Sequence, residues 1–325
     1  MSTNLTSKLG FSPLWTNVAK RFPAQNFAGL QLAPPTTRGT KTGEYVVYGT
    51  EGFRADGDDR APGAPAKTVN ATRSTASYAM TMHSLNMAVN WDDADGIQSG
   101  NPIQVLKENA TFRVRESMLL EREREIAALA TAAASYTKNG VTNYANATTG
   151  WNQAATTIMQ DVATGIRAIR SNTGVMPNKI FIPAAVQIEM ATQNPFKEQL
   201  YRNVTSDTSF LTPYGLPKIF PQFGLEIVTL EALYDTSGLG GSATSLSEVW
   251  SDYVIIAYVN PNWMNRGLTF MNTFTYTQFG AAGNDITMWE FDDKKRRTSF
   301  MEGLEWRDVK VIEELAGYKI GNTLT

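Results

Sequence analysis

The stretch that decides the fold is the last twenty residues, Trp306–Thr325, W-R-D-V-K-V-I-E-E-L-A-G-Y-K-I-G-N-T-L-T. Val309, Val311 and Ile312 precede Leu315, then Ala316-Gly317-Tyr318, with Ile320 near the end. Branched and aromatic side chains suit a pleated strand, and a glycine between two such runs marks a turn. The reading is two final strands joined by a glycine turn. Chain ends usually fray, so an end with this many branched and aromatic groups is expected to be tied into a sheet.

The composition narrows what such a sheet serves. At 325 residues the chain can bury a large core and is long enough for two domains. Lys and Arg number 29 against 31 Asp and Glu, a formal charge of −2. This balance argues against sequence-specific nucleic-acid binding, which needs a basic face, and against attraction to anionic membranes. The absence of cysteine excludes disulfides, thiolate metal sites and cysteine nucleophiles. A single histidine, His83, rules out multi-histidine zinc sites and leaves any Ser-His-Asp triad to that one residue. No apolar run approaches membrane-spanning length, and the first ten residues, M-S-T-N-L-T-S-K-L-G, lack a hydrophobic signal core. A soluble protein made in the cytoplasm is expected.

Residues 1–40 read as an N-terminal arm. Phe11, Leu14, Trp15, Val18 and Phe22 fall on one helical face. Ser12-Pro13 forms a cap and first turn, and Lys20-Arg21 suit the helix end. After Pro23 the chain reads as irregular, extended at Pro34-Pro35. This arm either docks on a neighbouring subunit or folds back on its own core. Residues 41–90 read as an extended hairpin. Tyr45–Tyr48 is one strand and 68–90 the return, and between them lies a polar tip with Gly57, Pro62, Gly63 and Pro65. Isolated hairpins are marginal in water, so this one needs a partner.

Asn101-Pro102 opens the strongest helix, spanning about 101–135. Val105, Phe112, Leu119, Ile126 and Ala133 recur every seven residues, with Arg113, Arg115, Glu116 and the run Glu121–Glu125 between them. The reading is a narrow apolar seam on a charged rod; a coiled coil is the rival, set against by Glu108, Arg115 and Arg122 at its second core position.

From 141 to 296 the pattern is mixed. Ile158, Val162, Ile166 and Ile169 share a helix face ending near Gly174. Lys179–Ile182 is a strand stopped by Pro183, with a helical stretch following to about Tyr201. Leu225–Leu230 and the apolar, central Trp250–Val259 are strands, with a surface loop at Gly238, Gly240 and Gly241. Leu268, Phe270, Phe274 and Tyr276 alternate with threonines at a period of two.

The candidates for chemistry are few. Asp92, Asp93 and Asp95 could serve a hard cation, but they lack the EF-hand pattern and read better as the turn before the long helix. His83 sits in an extended segment without a catalytic neighbour on its face. Gly238-Leu239-Gly240-Gly241 lacks the lysine of a phosphate loop. Asp292-Asp293-Lys294-Lys295-Arg296-Arg297 is the densest charge block. It meets DNA or an acidic partner, or it is a solvated turn where the chain passes between domains. No carboxylate pair stands out for glycosidase-like hydrolysis, and no cofactor, metal or catalytic residue is expected.

The order of these segments, with Y-A-M-T-M-H-S-L-N-M-A-V-N-W-D-D-A-D (78–95), the helix 101–130 and W-R-D-V-K-V-I-E-E-L-A-G-Y-K-I (306–320), resembles the major capsid proteins of tailed bacteriophages across essentially the whole chain. The resemblance implies an α+β fold with an N-terminal arm (1–40), an extended loop and connection (41–100), a peripheral domain (101–140 and 297–325) and an axial domain (141–296). It implies self-assembly into hexamers and pentamers of an icosahedral shell, assembled in a host cytoplasm and enclosing double-stranded DNA in the virion. Partners would be a portal protein, a decoration protein on some shells, and a scaffolding protein. Many members carry a cleaved scaffolding segment; this chain starts directly with the arm, so a separate scaffold is expected. Contacts between subunits are expected at Arg54, Arg60 and Lys67 of the loop and at Trp15 and Phe22 of the arm. Encapsulins, bacterial nanocompartments sharing the fold, are the alternative; a carboxylate hydrolase is a remote one.

Overall fold

In the computed structural model of the chain, the described residues are 27–48, 59–60, 62–63, 65–66, 68, 73–94, 101–153, 157–192, 223–237, 246–264, 267–276 and 286–324. A single helical turn, α1 (Gly29–Leu32), leads to strand β1 (Pro35–Arg38). Strands β2 (Thr42–Tyr48), β3 (Arg73–Ala79) and β4 (Thr81–Asn90) follow, then the long helix α2 (Pro102–Thr131). Short strands β5 (Thr137–Lys138), β6 (Val141–Thr142) and β7 (Tyr144–Asn146) precede helix α3 (Ile158–Thr173), strand β8 (Lys179–Pro183) and helix α4 (Ala184–Thr192). The remainder is strand: β9 (Glu226–Leu230), β10 (Leu233–Asp235), β11 (Leu246–Glu248), β12 (Val254–Ala257), β13 (Met271–Tyr276), β14 (Thr287–Asp293), β15 (Thr298–Val311) and β16 (Gly317–Gly321).

Two five-stranded sheets carry the molecule. In the first, the fourteen-residue β15 is central: β14 and β13 pair with its successive halves on one side and β4 with Thr298–Arg307 on the other, all antiparallel, while β1 adds to β13 in parallel. The second has the order β7-β16-β12-β8-β9. As its apolar run implies, β12 is buried throughout at the centre. Its Val254 and Ile256 pack with Ile158, Val162, Ile166 and Ile169 of α3, and its Ile255 and Ala257 face the opposite core with Ile126 of α2.

The last twenty residues differ from their reading in an instructive way. Trp306–Val311 closes the first sheet, and Gly317–Gly321 enters the second. A 3-10 turn at Glu314–Ala316 joins them, and Gly317 is already in the strand. The two runs are therefore not a hairpin; they stitch the two sheets together. The charge block is a hairpin turn between β14 and β15 within one sheet. Residues 29–32, read as irregular, form α1, and the segment read as extended at Pro34-Pro35 becomes β1. Asn272 Nδ2 donates to Pro34 O at 2.6 Å and Thr273 Oγ1 to Ala33 O at 3.0 Å, bonds that hold this segment on its own core. Helix α4 ends at Thr192, and the expected continuation to Tyr201 lies outside the described residues. The threonines of β13 do not face solvent: Thr273 and Thr275 are fully buried, because β13 is covered on both faces.

Helix α2 starts as its cap predicts, with Gln104 N donating to Asn101 Oδ1 at 3.3 Å and Pro102 in the first turn. Its buried face is wider than the seven-residue seam: Leu119 and Ile126 of the seam are buried, together with Ala110, Thr111, Val114, Met118, Arg122, Glu123, Ala127 and Ala130, a stripe of three- and four-residue spacings, whereas Ala133 lies beyond the helix and exposed. This stripe follows the buried alternate residues of β15. Met301 packs with Val114 and Met118, Glu305 meets Arg122, and Val309 packs with Ile126 and Ala130. From Val114 to Ala130 a helix rises about 24 Å, and from Met301 to Val309 a strand covers about 27 Å, so the two contact lines are of similar length. Gly303 makes the close approach possible, since a Cβ there would come within 2.9 Å of Val114 Cγ1.

The middle of this contact is ionic. Arg122 Nη1 donates to Glu305 Oε1 at 2.7 Å, Arg307 Nη1 to Glu305 Oε2 at 3.1 Å, and Arg307 Nε to Glu125 Oε2 at 2.7 Å. Arg122, Glu305 and Arg307 are all buried. Removing one partner of a buried pair leaves an uncompensated charge, which costs far more than the net worth of the pair. Glu305→Ala is therefore expected to lower unfolding free energy by about 3–5 kcal/mol in urea titrations; a loss below about 1 kcal/mol would mean that water reaches the two arginines.

Candidate assembly surface

The ribbon β2–β3 is joined by seven antiparallel residue pairs, Thr42↔Ala79 to Tyr48↔Arg73. Among its described residues Tyr45 and Tyr78 are the buried ones. Both anchor its foot. Tyr78 stacks on Phe274 with ring centres 4.6 Å apart, and Tyr45 meets Phe274 at 5.3 Å and the edge of Trp263 at 5.5 Å. Ala79 N donates to Asp308 Oδ2 at 2.9 Å, fixing the point where β3 passes into β4. Beyond the foot, Val46, Ser74 and Thr75 are exposed. The ribbon is thus fastened at its foot.

Strand β4 continues from the ribbon into the first sheet. Its hydrogen-bonded edge lies along β15, and no strand pairs with its other edge among the described residues. Met82, Leu85 and Met87 are exposed there, at 55%, 44% and 39%. An uncharged edge with apolar side chains is a template for another chain.

The root of the arm is tied to α2 by one carboxylate. Gly29 N donates to both oxygens of Glu123, at 3.0 and 2.8 Å, and Trp250 Nε1 donates to Oε1 at 2.7 Å. A side chain at Gly29 would collide with the same carboxylate, its Cβ 2.5 Å from Oε2. Glu123 so joins α1, the long helix and the loop before β12. Burial pushes its pKa up, against the opposing pull of the Trp250 and Gly29 hydrogen bonds and of the Arg122 charge.

Of the residues expected to meet a neighbour, Arg60 is described and exposed; Arg54, Lys67, Trp15 and Phe22 lie outside the described residues. Asp92 pairs with Arg297 at 3.1 Å on the surface and Asp93 accepts from Asn90 Nδ2, as befits a turn; Asp95 is outside the described residues. His83 Nε2 lies 2.9 Å from Thr81 Oγ1, and burial, then the Arg307 charge, lower its pKa. Lys294–Arg297 form an exposed hairpin tip. Among the described residues no cluster of three or more His, Asp or Glu could hold a metal, and no helix is long and apolar enough to cross a membrane. The anchors Tyr45 and Tyr78 and the clasp Glu123 were not legible as such. The signal that could have exposed Glu123 is its place four residues before Ala127 and three before Ile126, on the inward face of the helix.

Set against solved structures, the chain matches a phage-related protein of Bordetella bronchiseptica at 19% identity, TM-score 0.70, over 96% of this chain and 97% of that one. It matches the capsid of the cyanophage P-SCSP1u at 12% identity, TM-score 0.56, over 89% and 86%. It also matches the encapsulin complex of Synechococcus elongatus at 11% identity, TM-score 0.51, over 92% and 88%. The chain has the α+β fold of tailed-phage major capsid proteins, which encapsulins share. No family model and no curated protein matches the sequence.

The clasp carries a pH signature. A raised pKa means that the folded state holds the Glu123 proton more tightly than the unfolded chain does. Its stabilising contribution is complete below the ordinary glutamate range and is lost as pH rises through the folded value. Glu123→Gln offers one acceptor oxygen to donors that now share two, so it is expected to cost about 1–3 kcal/mol. Its deficit against the native protein should narrow as pH rises out of the ordinary glutamate range; equal pH slopes for the two proteins would contradict the assignment.

Proposed function

We propose that this chain is the building block of a closed protein shell, a major capsid protein that assembles as hexamers and pentamers around double-stranded DNA. The observation that carries the reading is the capsid fold over nearly the whole chain together with a two-stranded ribbon whose described outer residues, Val46, Ser74 and Thr75, are exposed. A single chain gains nothing from exposing a strand pair, whereas neighbouring copies supply the missing contacts. The exposed edge of β4 beside it offers a further docking line. A near-neutral surface suits a wall that contains DNA without gripping it. In this reading residues 1–40, 41–100, 101–140 with 297–325, and 141–296 are arm, loop, peripheral and axial parts. A scaffold, a portal and a decoration protein are the partners that the family likeness suggests, and the work of the chain is structural, not enzymatic.

The second reading, an encapsulin-like compartment, is favoured by the match to the Synechococcus complex. Nuclease-protected DNA in purified particles supports the phage reading, and a co-purifying protein cargo without DNA supports the compartment. Removing residues 52–66, the segment between β2 and β3, is expected to leave a folded subunit with unchanged unfolding midpoint that no longer sediments as particles. Particles as stable as those of the native chain would refute the role given to the ribbon.

A further inference from the structure

At the foot of the ribbon lies a shallow hollow of about 210 Å³ lined by Arg38, Glu44, Tyr45, Val46, Trp263 and Met264. Two of its donors have nothing to donate to: Trp263 Nε1 and Arg38 Nε are buried and make no hydrogen bond. Trp263 is only 3% exposed. Buried donors are nearly always satisfied. The guanidinium of Arg38 is held at 5.6 Å over the Tyr78 ring, so it is not free to turn outward for an acceptor. On the same rim Glu44 is exposed, and no cation among the described residues pairs with it.

We infer that this hollow receives an amide-bearing peptide segment from a second copy of the chain. The donor set asks for an oxygen, and Glu44 disfavours a carboxylate while offering an acceptor for an N–H. A peptide unit, or the carboxamide of Asn or Gln, supplies both: its carbonyl oxygen accepts from Trp263 and Arg38, and its N–H donates to Glu44. Tyr45, Val46 and Met264 provide apolar walls for the adjoining carbons. Val46 and Met264 are 39% and 38% exposed, and the unbranched methionine is the wall that swings aside to uncover the nitrogens. The volume suits one or two residues and is smaller than the roughly 300–1,000 Å³ of small-molecule sites. The inference rests on the shell reading, in which further copies surround each subunit.

The test places the photo-crosslinker p-benzoylphenylalanine at Val46 and irradiates assembled particles. A covalent dimer whose bridge maps from Val46 to a segment of a second copy is expected, and it should be absent from unassembled protein. Particles that form but give no dimer, or only a bridge within one chain, would overturn the inference and leave the shell reading standing. Failure of the native chain to form particles at all would overturn both. Glu44→Ala, at an exposed position, supplies a second readout. It is expected to raise the concentration needed for assembly about three- to tenfold without shifting the unfolding midpoint of the subunit; an unchanged assembly concentration would count against the inference.

Discussion

The architecture hangs on four charged side chains between a helix and a strand. Arg122 and Glu125 of α2 and Glu305 and Arg307 of β15 form a chain of short hydrogen bonds where apolar packing would be ordinary. Such a set adds little net stability compared with a well-packed apolar equivalent. It does impose register: a helix displaced by one turn would leave charges buried without partners. Because β15 also pairs with β4, β13 and β14, fixing the helix on β15 fixes it on the whole first sheet. Through the turn at Glu314–Ala316 the same strand feeds β16 into the second sheet, so the two sheets inherit one frame.

Around this frame the molecule divides into parts that are finished and parts that are not. The face of α3 on the second sheet is finished, an apolar layer with few polar intrusions. The root of the arm is finished by Glu123, whose carboxylate gathers Gly29 and Trp250. Among the described residues, the outer ribbon, the edge of β4 and the hollow at Trp263 are unfinished: exposed strand residues, ladder groups without a partner strand, and donors without acceptors. The unfinished parts adjoin one another through Ala79 and Asp308, at the point where β3 passes into β4. A protein that functions alone has no reason to gather such deficits in one region; a subunit that meets copies of itself does.

Much of this was readable in the sequence where one local rule acted alone. Asn101-Pro102 announced the start of α2, the isoleucine face announced α3, and the apolar run around Val254 announced a central strand. The segment order carried the resemblance to phage capsid proteins. What was not readable depended on which side of an element another element covered. Glu121–Glu125 looks like a solvated stretch, yet two of its residues, Arg122 and Glu123, are buried because the covered face of α2 is wider than the seven-residue seam. In the same way Arg307 shares a strand face with Val309, because alternate residues of a strand lie on one side, and that face is the one under α2. The separation of the last two strands into different sheets, and the anchoring role of Tyr45 and Tyr78, follow only from tertiary contacts far apart in the chain.

The central claim, that these unfinished parts are completed by further copies, is tested most directly by electron microscopy of the purified native chain over a range of concentrations, alone and with a scaffolding protein encoded beside it. The account predicts closed particles tens of nanometres across, built of six-fold and five-fold rings, in which the ribbon of each subunit lies over its neighbour. A uniform monomer or dimer under all these conditions would contradict it.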